Sequence, residues 1–373
     1  MKARSYLDHN ATAPLRPEVR EAVIAALDYT GNPSSVHGEG RAAREIVEDA
    51  RERVAAVFGV KPAAVYFTSG GTEAANWLLQ PRGGETFALT AVEHPCVLSG
   101  HRFEAANVRL IPVTQDGIAC LDGLEAALSP GAMVTAQAAN NETGVIQPLA
   151  DIAAIAKAKG AVLICDAVQA VGRLPTGVLD GADAFFFSAH KLGGPKGAGA
   201  AIIRSDALPL RPLVKGGGQE RRQRSGTENV PGIAGLAIAL EMAAAEQAGF
   251  AERARGLQQM LESGLRAVAP DAVVFGDAAG RLPNTTCFAL PGKTAELLLI
   301  AFDLEGIAVS SGSACSSGKV ERSHVLEAMG VAPDLGAGAI RVSTGWTTKE
   351  EDIERFLTVL AKIRGGRQTR HAA

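Results

Sequence analysis

The chain has 373 residues, of which 47% are hydrophobic and 21% charged, and its formal net charge is −3. This length is too great for one simple core and fits two domains, or one large domain with a smaller one appended. The composition is typical of a soluble globular protein, and the small net charge excludes a global attraction to nucleic acid or to an anionic membrane. No apolar run approaches the ~20 residues of a membrane helix or forms a signal peptide at the start. We therefore predict neither a nucleic-acid partner nor a membrane partner.

The cysteines indicate the redox setting. Their number is odd, and no two of them form a CxxC pair; they are Cys96, Cys120, Cys165, Cys287 and Cys315. A disulfide framework or a structural zinc site is therefore not expected, and the pattern predicts a reducing, cytoplasmic setting. Most of these side chains should be small buried groups, as Cys165 is expected to be within the apolar segment AVLICDAV.

Helical and strand patterns alternate along most of the chain. From Gly38 to Phe58, apolar residues recur at spacings of three and four, which predicts an amphipathic helix. Short strands are predicted next, with helices between them, at 64–67, 87–91, 108–113, 133–139, 161–168 and 184–190. Strands that alternate with helices predict an α/β fold with a mostly parallel sheet covered on both faces.

The pattern changes after about residue 230. Long helices are predicted over 232–268, followed by a strand at 287–290, the helix AELLLIAFDLEG, the Ser/Gly loop SSGSACSSG, the strand AIRVST and a terminal helix. We therefore predict a large domain over 13–250. A smaller α+β domain is predicted over 1–12 and 251–373, and it carries the Ser/Gly loop, which is expected to be mobile.

The first motif with chemical meaning is Ser69-Gly70-Gly71-Thr72, a glycine turn between a predicted strand and a helix. Glycines let backbone amides approach an anion, and a helix N-terminus adds partial positive charge. Thr72 supplies a hydroxyl. The motif predicts a phosphate site; an ordinary glycine turn is the alternative.

The second motif is Asp166-Ala-Val-Gln169, which follows the apolar strand AVLIC. An aspartate at the carboxyl end of a buried parallel strand lies where α/β proteins bind ligands. The alternative for Asp166 is a helix N-cap, a common place for an isolated aspartate.

The third motif is Ser188-Ala-His190-Lys191, which follows the strand segment FFF. A lysine at this point faces the mouth of a cleft, where partial burial favours the neutral amine that forms a Schiff base. The alternative for Lys191 is an ordinary surface lysine.

One ligand fits all three motifs. The glycine turn with Gly71 and Thr72, together with Ser188 and His190, would bind a phosphate. Lys191 would form a Schiff base, Asp166 would pair with a protonated ring nitrogen, and Gln169 would lie near the phenolic oxygen of the ring. Pyridoxal 5′-phosphate has this chemistry.

At this point the sequence resembles the cysteine desulfurases, which belong to the class V branch of the fold-type I pyridoxal phosphate enzymes. The resemblance extends over essentially the whole chain. Its specific stretches are LDHNATAP, GNPSSVHGEGRAARE, TSGGTEAAN, VEHPCVL, NNETGVIQP, CDAVQAVG, SAHKLGGPKG, RSGTENVPGI, SSGSACSSG and RVSTGWTTKEE. The cysteine loop has the form of the group I enzymes, which serve nitrogenase or housekeeping iron–sulfur cluster assembly.

The resemblance implies roles for further residues. His94 would stack on the cofactor ring and take part in proton transfers. Asn141 would lie by the phenolic oxygen and near the substrate carboxylate, which Arg341 would clamp with its two-pronged guanidinium. Thr227 would reach the phosphate of the partner subunit's cofactor, so the active unit would be a homodimer.

Cys315 is the implied sulfur acceptor. It lies in a Ser/Gly segment that can bury little, so we expect an exposed thiol, whereas structural cysteines are usually buried. Free L-cysteine would be the substrate, L-alanine would leave, and a persulfide would remain on Cys315. An iron–sulfur scaffold or another sulfur-acceptor protein would receive the sulfur, and Cys315 is also a candidate transient cluster ligand. An accidental loop thiol is the alternative.

Two rival classes stay open on the sequence. One is a different pyridoxal phosphate enzyme, such as a selenocysteine lyase or another class V aminotransferase or lyase. The other is a sulfur-carrier scaffold with a vestigial cofactor site. An aminotransferase has no need of a cysteine in a Ser/Gly loop, and this feature favours the desulfurase.

Overall fold

The computed structural model describes residues 4–83, 85–205, 208, 210–312 and 322–365. The strands are β1 Ser5–Tyr6, β2 Val65–Thr68, β3 Phe87–Thr90, β4 Val108–Ile111, β5 Met133–Gln137, β6 Val162–Asp166, β7 Ala184–Ser188, β8 Gly199–Ile203, β9 Val273–Val274, β10 Thr285–Ala289, β11 Ile307–Ala308, β12 Ser310–Ser311 and β13 Ala339–Ser343.

The α-helices are α1 Pro17–Leu27, α2 Gly38–Phe58, α3 Gly71–Leu78, α4 Pro95–Leu98, α5 Leu121–Ala127, α6 Leu149–Ala158, α7 Val230–Val268, α8 Ala295–Leu304, α9 His324–Ala328, α10 Pro333–Gly336 and α11 Glu350–Gly365. Short 3-10 helices lie at Pro62–Ala64, Ala105–Asn107, Thr176–Leu179, Ala189–Lys191 and Gln219–Arg222. The helix predicted from Gly38 to Phe58 is confirmed as α2.

The largest sheet has its strands in the order β2-β8-β7-β6-β5-β3-β4. The neighbours from β7 to β4 are parallel, and β8 is antiparallel to both β7 and β2. The predicted α/β fold with a mostly parallel sheet is therefore confirmed, with one antiparallel strand inserted near an edge.

The central strands are buried along their whole length, as expected for parallel strands covered on both faces. Successive side chains of β7 point to opposite faces. Phe185 and Phe187 pack in the core formed with α2, α6 and α7. Phe186 packs in the core formed with α3 and α4.

A second, smaller sheet has the antiparallel order β12-β13-β10-β9. Its core contains residues of α8, α11 and the last part of α7, together with Leu7 near the start of the chain. The first strand, β1, is parallel to β11, so the N-terminal segment joins the smaller sheet's side of the molecule. These elements lie within the predicted α+β unit, whose limits stay a prediction.

One continuous helix, α7, replaces the several long helices predicted over 232–268. After Pro231 the segment contains no proline to break it, and isolated glycines are tolerated inside a helix. The predicted domain limit at residue 250 therefore falls inside this helix. By length and composition alone, α7 could cross a membrane, although no membrane helix was expected. Its apolar residues pack instead in both cores, as Leu236 and Leu261 do.

Candidate active site

A cleft lies at the carboxyl ends of β6 and β7, where parallel α/β sheets bind ligands. Its empty volume is about 870 Å³, part of it open to solvent. The predicted site residues that line the cleft are Gly71, Thr72, His94, Asn141, Asp166, Gln169, Ser188, His190, Lys191 and Arg341. The tertiary structure thus brings together side chains from both ends of the chain.

The glycine turn forms a narrow end of this cleft. Gly71 begins α3, and its backbone N–H donates to the Ser188 hydroxyl over 2.7 Å. A Cβ at residue 71 would lie 2.9 Å from a Val168 methyl, so a larger residue would not fit without a shift. His190 Nδ1 lies 3.2 Å from the Thr12 hydroxyl, and burial lowers the pKa of His190 to about 4. Hydroxyls at a helix N-terminus suit a phosphate.

Asp166 ends β6 and is buried. Its Oδ1 accepts the backbone N–H of Val168 at 2.9 Å, and Oδ2 accepts no hydrogen bond from any described residue. Burial raises the pKa of Asp166 to about 6, and the nearby Lys191 acts in the opposite direction. The residues that follow form turns, with no α-helix, so the N-cap alternative is wrong. A buried carboxylate that faces the cleft can pair with a protonated ring nitrogen.

Lys191 ends a short 3-10 helix after β7, and its side chain points into the cleft. Its Nζ donates to the backbone carbonyls of Asn10 at 2.5 Å and Ala11 at 3.0 Å. Because both carbonyls belong to the N-terminal segment, that segment fixes the position of the amine.

His94 caps the short helix α4 and lines the cleft. Its Nδ1 accepts the backbone N–H of Cys96 at 3.1 Å. Burial lowers the pKa of His94 to about 4, and the positive charge of Lys191 adds to this. The ring is therefore neutral near pH 7. With Nδ1 as the acceptor, Nε2 carries the proton.

Gln169 lies in the cleft with its amide already engaged by the protein. Its Nε2 donates to the Asn10 carbonyl at 3.1 Å, and its Oε1 accepts a hydrogen bond from Arg173. These contacts fix the side chain at the floor of the cleft. Its predicted place near the phenolic oxygen stays a prediction.

Arg341 reaches the cleft from β13 of the smaller sheet. Its Nη1 donates to the Asn141 carbonyl at 2.9 Å, and its Nη2 pairs with Asp8 Oδ1 at 2.7 Å. Its Nε is buried and has no partner among the described residues. A buried guanidinium with a donor left over is suited to a carboxylate ligand.

Thr227 does not line the cleft of its own chain, and it is exposed. The same loop is held against the start of α3, because Arg224 pairs with Glu73 over 2.8 Å. The helix that follows the glycine turn is thus tied to the loop that carries Thr227. A role in the partner subunit stays a prediction.

Cys315 lies outside the described residues. On either side of it in sequence, Gly312 and Ser323 both contact Glu142. The Ser323 hydroxyl donates to Glu142 Oε2 at 2.5 Å. A Cβ at residue 312 would lie 2.5 Å from the same oxygen. Burial raises the pKa of Glu142 to about 7. Because Glu142 follows Asn141, which lines the cleft, Gly312 and Ser323 both lie near the Asn141 end of the cleft.

The sequence did not predict several residues that line the cleft, or Asp8, which contacts a residue of the cleft. Those that line it are Asn10, Ala11, Cys96, Gln137, Ala139 and Val168. The Asn10 carbonyl accepts hydrogen bonds from Gln169 and Lys191. Asp8 does not line the cleft and contacts Arg341. No residue type or spacing marks such positions. Only the stretch LDHNATAP, within which they lie, pointed toward them.

Glu93 is a buried carboxyl behind the cleft. Its Oε1 accepts the Thr90 hydroxyl at 2.6 Å and the Gln137 backbone N–H at 2.9 Å. Its Oε2 is buried and has no partner among the described residues. Burial raises the pKa of Glu93 to about 8, and the nearby Asp166 adds to the effect. The folded state therefore favours the protonated acid.

This raised pKa predicts a pH-dependent stability. The stabilisation that protonated Glu93 gives the fold is fully present below the pKa of the unfolded state, near 4.5. It is lost as the pH rises through the pKa of the folded state, about 8. Glu93→Gln mimics the protonated acid and does not titrate. The free energy of unfolding of the variant minus that of the native protein should therefore rise by up to about 4 kcal/mol between pH 5 and pH 9. Urea unfolding at several pH values measures this difference. Glu125→Gln, at an exposed site, is the control. If the native and Glu93→Gln curves stay parallel over this pH range, the pKa of Glu93 is not raised.

Known proteins resemble this chain over nearly its full length. Residues 5–356 match the family model described as aminotransferase class-V. A cysteine desulfurase of Cereibacter sphaeroides is 44% identical, over 96% of this chain and 95% of its own. The cysteine desulfurase IscS of Dictyoglomus turgidum is 40% identical, over 97% and 95%. The solved structure of a NifS-like protein from Rickettsia africae has a TM-score of 0.90 at 35% identity, and the match covers 97% of this chain and 100% of that one.

Proposed function

Because the chain belongs to the class-V aminotransferase family and, within it, to the pyridoxal 5′-phosphate-dependent cysteine desulfurases, we propose that it removes sulfur from L-cysteine. L-alanine is released, and the sulfur remains as a persulfide on Cys315. The observation that carries this proposal is the meeting of Lys191, Asp166 and Arg341 in one cleft. Each of the three matches a different part of the cofactor or the substrate.

The residues present fit pyridoxal phosphate. The N-terminus of α3 at Gly71, with the Ser188 hydroxyl beside it, suits the phosphate. The unoccupied oxygen of Asp166 suits the ring nitrogen, and Lys191 Nζ suits the covalent link. When bound, the cofactor supplies an electron sink that makes the Cα proton of an amino acid acidic.

Lys191 and His94 are placed for proton transfer. Lys191 Nζ, held by two carbonyls at the floor of the cleft, takes the Cα proton of the substrate. His94, neutral and protonated on Nε2, can exchange a proton at its cleft-facing nitrogen. Asp166, with a pKa of about 6, is largely ionised at pH 7 and can hold a proton on the ring nitrogen.

Arg341 is placed to bind the substrate carboxylate, with Asn141 beside it. Arg341→Ala removes this clamp, and we expect kcat/KM for L-cysteine to fall by the equivalent of about 2–5 kcal/mol. Steady-state kinetics on the cofactor-loaded protein measures the loss. Unchanged kcat/KM would remove Arg341 from the substrate site.

A matched control separates this effect from the loss of a buried ion pair. Arg281, in the second half of the chain, has a side chain that is only 9% exposed, and it pairs with Glu262 at 2.8 Å. It does not line the cleft. Arg281→Ala should therefore lower stability while kcat/KM stays near the native value.

The same proposal covers the oligomeric state, the location, the sulfur acceptor and the domain limits. We propose a homodimer in which Thr227 reaches the cofactor phosphate of the partner subunit, as its exposure and the Arg224–Glu73 ion pair support. We also propose a cytoplasmic enzyme that delivers sulfur to an iron–sulfur scaffold or another acceptor protein. The domains at 13–250 and at 1–12 with 251–373 complete the proposal. Cys315 as a transient cluster ligand stays a prediction.

The reaction itself provides the test. The cofactor-loaded protein is given L-cysteine with a reductant, and alanine and sulfide are measured together. Equal amounts of both products support the desulfurase. Transfer of the amino group to a 2-oxo acid, without alanine or sulfide, would instead support an aminotransferase.

A further inference from the structure

Three buried arginines line the cleft or the space behind it, and their charges are balanced differently. Arg16 pairs with Glu246 at 2.9 Å, and Arg341 pairs with Asp8 at 2.7 Å. Arg173 is 5% exposed, yet no described carboxylate lies within 4.0 Å of it. Arg173 is therefore a buried cation without a counter-charge in the described part of the chain.

The hydrogen bonds of Arg173 leave most of its guanidinium unused. Nη1 donates to the carbonyl oxygen of Gln169 at 3.0 Å and to its side-chain oxygen. Nε and Nη2 donate to no described residue. Burial lowers the pKa of Arg173 to about 9, with repulsion from Arg341 as a second cause, so the group is still a cation at pH 7. A buried charge without a partner is costly, so a counter-ion is expected.

A cavity adjoins Arg173, behind Lys191 and apart from the main cleft, and its empty volume is about 400 Å³, part of it open to solvent. Among the residues that the structure describes, Lys191 alone lines both spaces. Thr344 also lines this cavity. Its hydroxyl is buried and has no partner among the described residues. A guanidinium and a hydroxyl with unused donors therefore face the same space.

We propose that this cavity binds a small monovalent inorganic anion, of the halide class, through Arg173 and the Thr344 hydroxyl. One uncompensated positive charge matches one negative charge, whereas a divalent oxyanion would leave a buried negative charge unpaired. The Glu246 carboxylate also lines the cavity, but its charge is balanced by Arg16, and much of the remaining wall is apolar, with Leu192, Phe250 and Trp346. Such a wall favours a weakly hydrated anion over a strongly hydrated one.

This anion would act on the active site through Gln169. The Gln169 side chain accepts from Arg173 on one side and donates to the Asn10 carbonyl on the other. The same Asn10 carbonyl accepts from Lys191 Nζ. An anion that holds Arg173 in place therefore also holds the floor of the cleft. The inference does not depend on the desulfurase reaction or on Cys315.

Bromide provides the direct test, since it replaces chloride and scatters X-rays anomalously. Crystals of the cofactor-loaded protein, grown without halide and soaked in sodium bromide, should show an anomalous peak in contact with Nε or Nη2 of Arg173. Ordered water at that place with no anomalous signal would overturn the proposal, as would bromide bound only elsewhere.

The anion site can also be tested in solution by comparing the native protein with a variant that lacks Arg173. Relative to sodium sulfate at equal ionic strength, we expect saturating bromide to raise the Tm of the native protein by about 2 °C more than it raises the Tm of Arg173→Met. Arg204→Gln, whose arginine pairs with Asp180 outside the cavity, is the control and should keep the native response. An equal bromide response in Arg173→Met and Arg204→Gln would contradict the proposal.

Discussion

Lys191→Ala is expected to abolish the turnover of L-cysteine, a fall in kcat of at least about a thousandfold. In the proposed function, Lys191 Nζ holds the cofactor and moves the Cα proton, and no other lysine lines the cleft among the described residues. Cofactor should remain bound through the phosphate contacts of the glycine turn and Ser188. Absorbance spectra and alanine release measure the two effects separately.

Borohydride identifies the attachment site independently of activity. It reduces the bond between lysine and cofactor, so digestion of the treated native protein should give one labelled peptide, the one that contains Lys191. Lys196 is the matched control, because it lies in the same loop and lines the outer side of the glycine turn. Lys196→Ala should keep the label. A label on any other lysine would show that the assignment of Lys191 is wrong.

Cys315→Ser should stop sulfur transfer while it preserves the earlier steps. A hydroxyl is scarcely ionised at neutral pH and is a far weaker nucleophile than a thiolate. The variant should keep the absorbance of the bound cofactor and still change its spectrum when L-cysteine is added. It should release essentially no alanine or sulfide, and labelled sulfur should not accumulate on the protein.

The structure supplies a sharp control for this experiment, because Cys96 lines the cleft and is a rival acceptor. Cys165 and Cys287 are fully buried, and burial raises the pKa of both thiols, so neither is a plausible nucleophile. Cys96→Ser should keep its activity and its labelled sulfur. Near-normal alanine production by Cys315→Ser would instead show that another nucleophile takes the sulfur, and pyruvate with sulfide in place of alanine would indicate a lyase that eliminates hydrogen sulfide.

The sequence alone predicted the architecture and about half of the residues that line the cleft. Apolar runs bounded by turns placed β5, β6 and β7, since a strand buried on both faces must be apolar throughout. Asp166, Ser188 and Lys191 were found because they follow such strands directly. The family was predicted from motifs that extend over the whole chain, and the comparisons confirm it. His94, Asn141 and Arg341 came from that resemblance, and their roles stay predictions.

Tertiary structure alone decided which distant groups meet. The Asp8–Arg341 pair joins residues 333 positions apart, and Lys191 Nζ rests on backbone carbonyls of Asn10 and Ala11. Backbone carbonyls carry no residue-type signal, and side chains so far apart in sequence share no period that a pattern could reveal. The unbalanced charge of Arg173 is likewise invisible in sequence, because a missing partner is defined only by what lies around a side chain after folding.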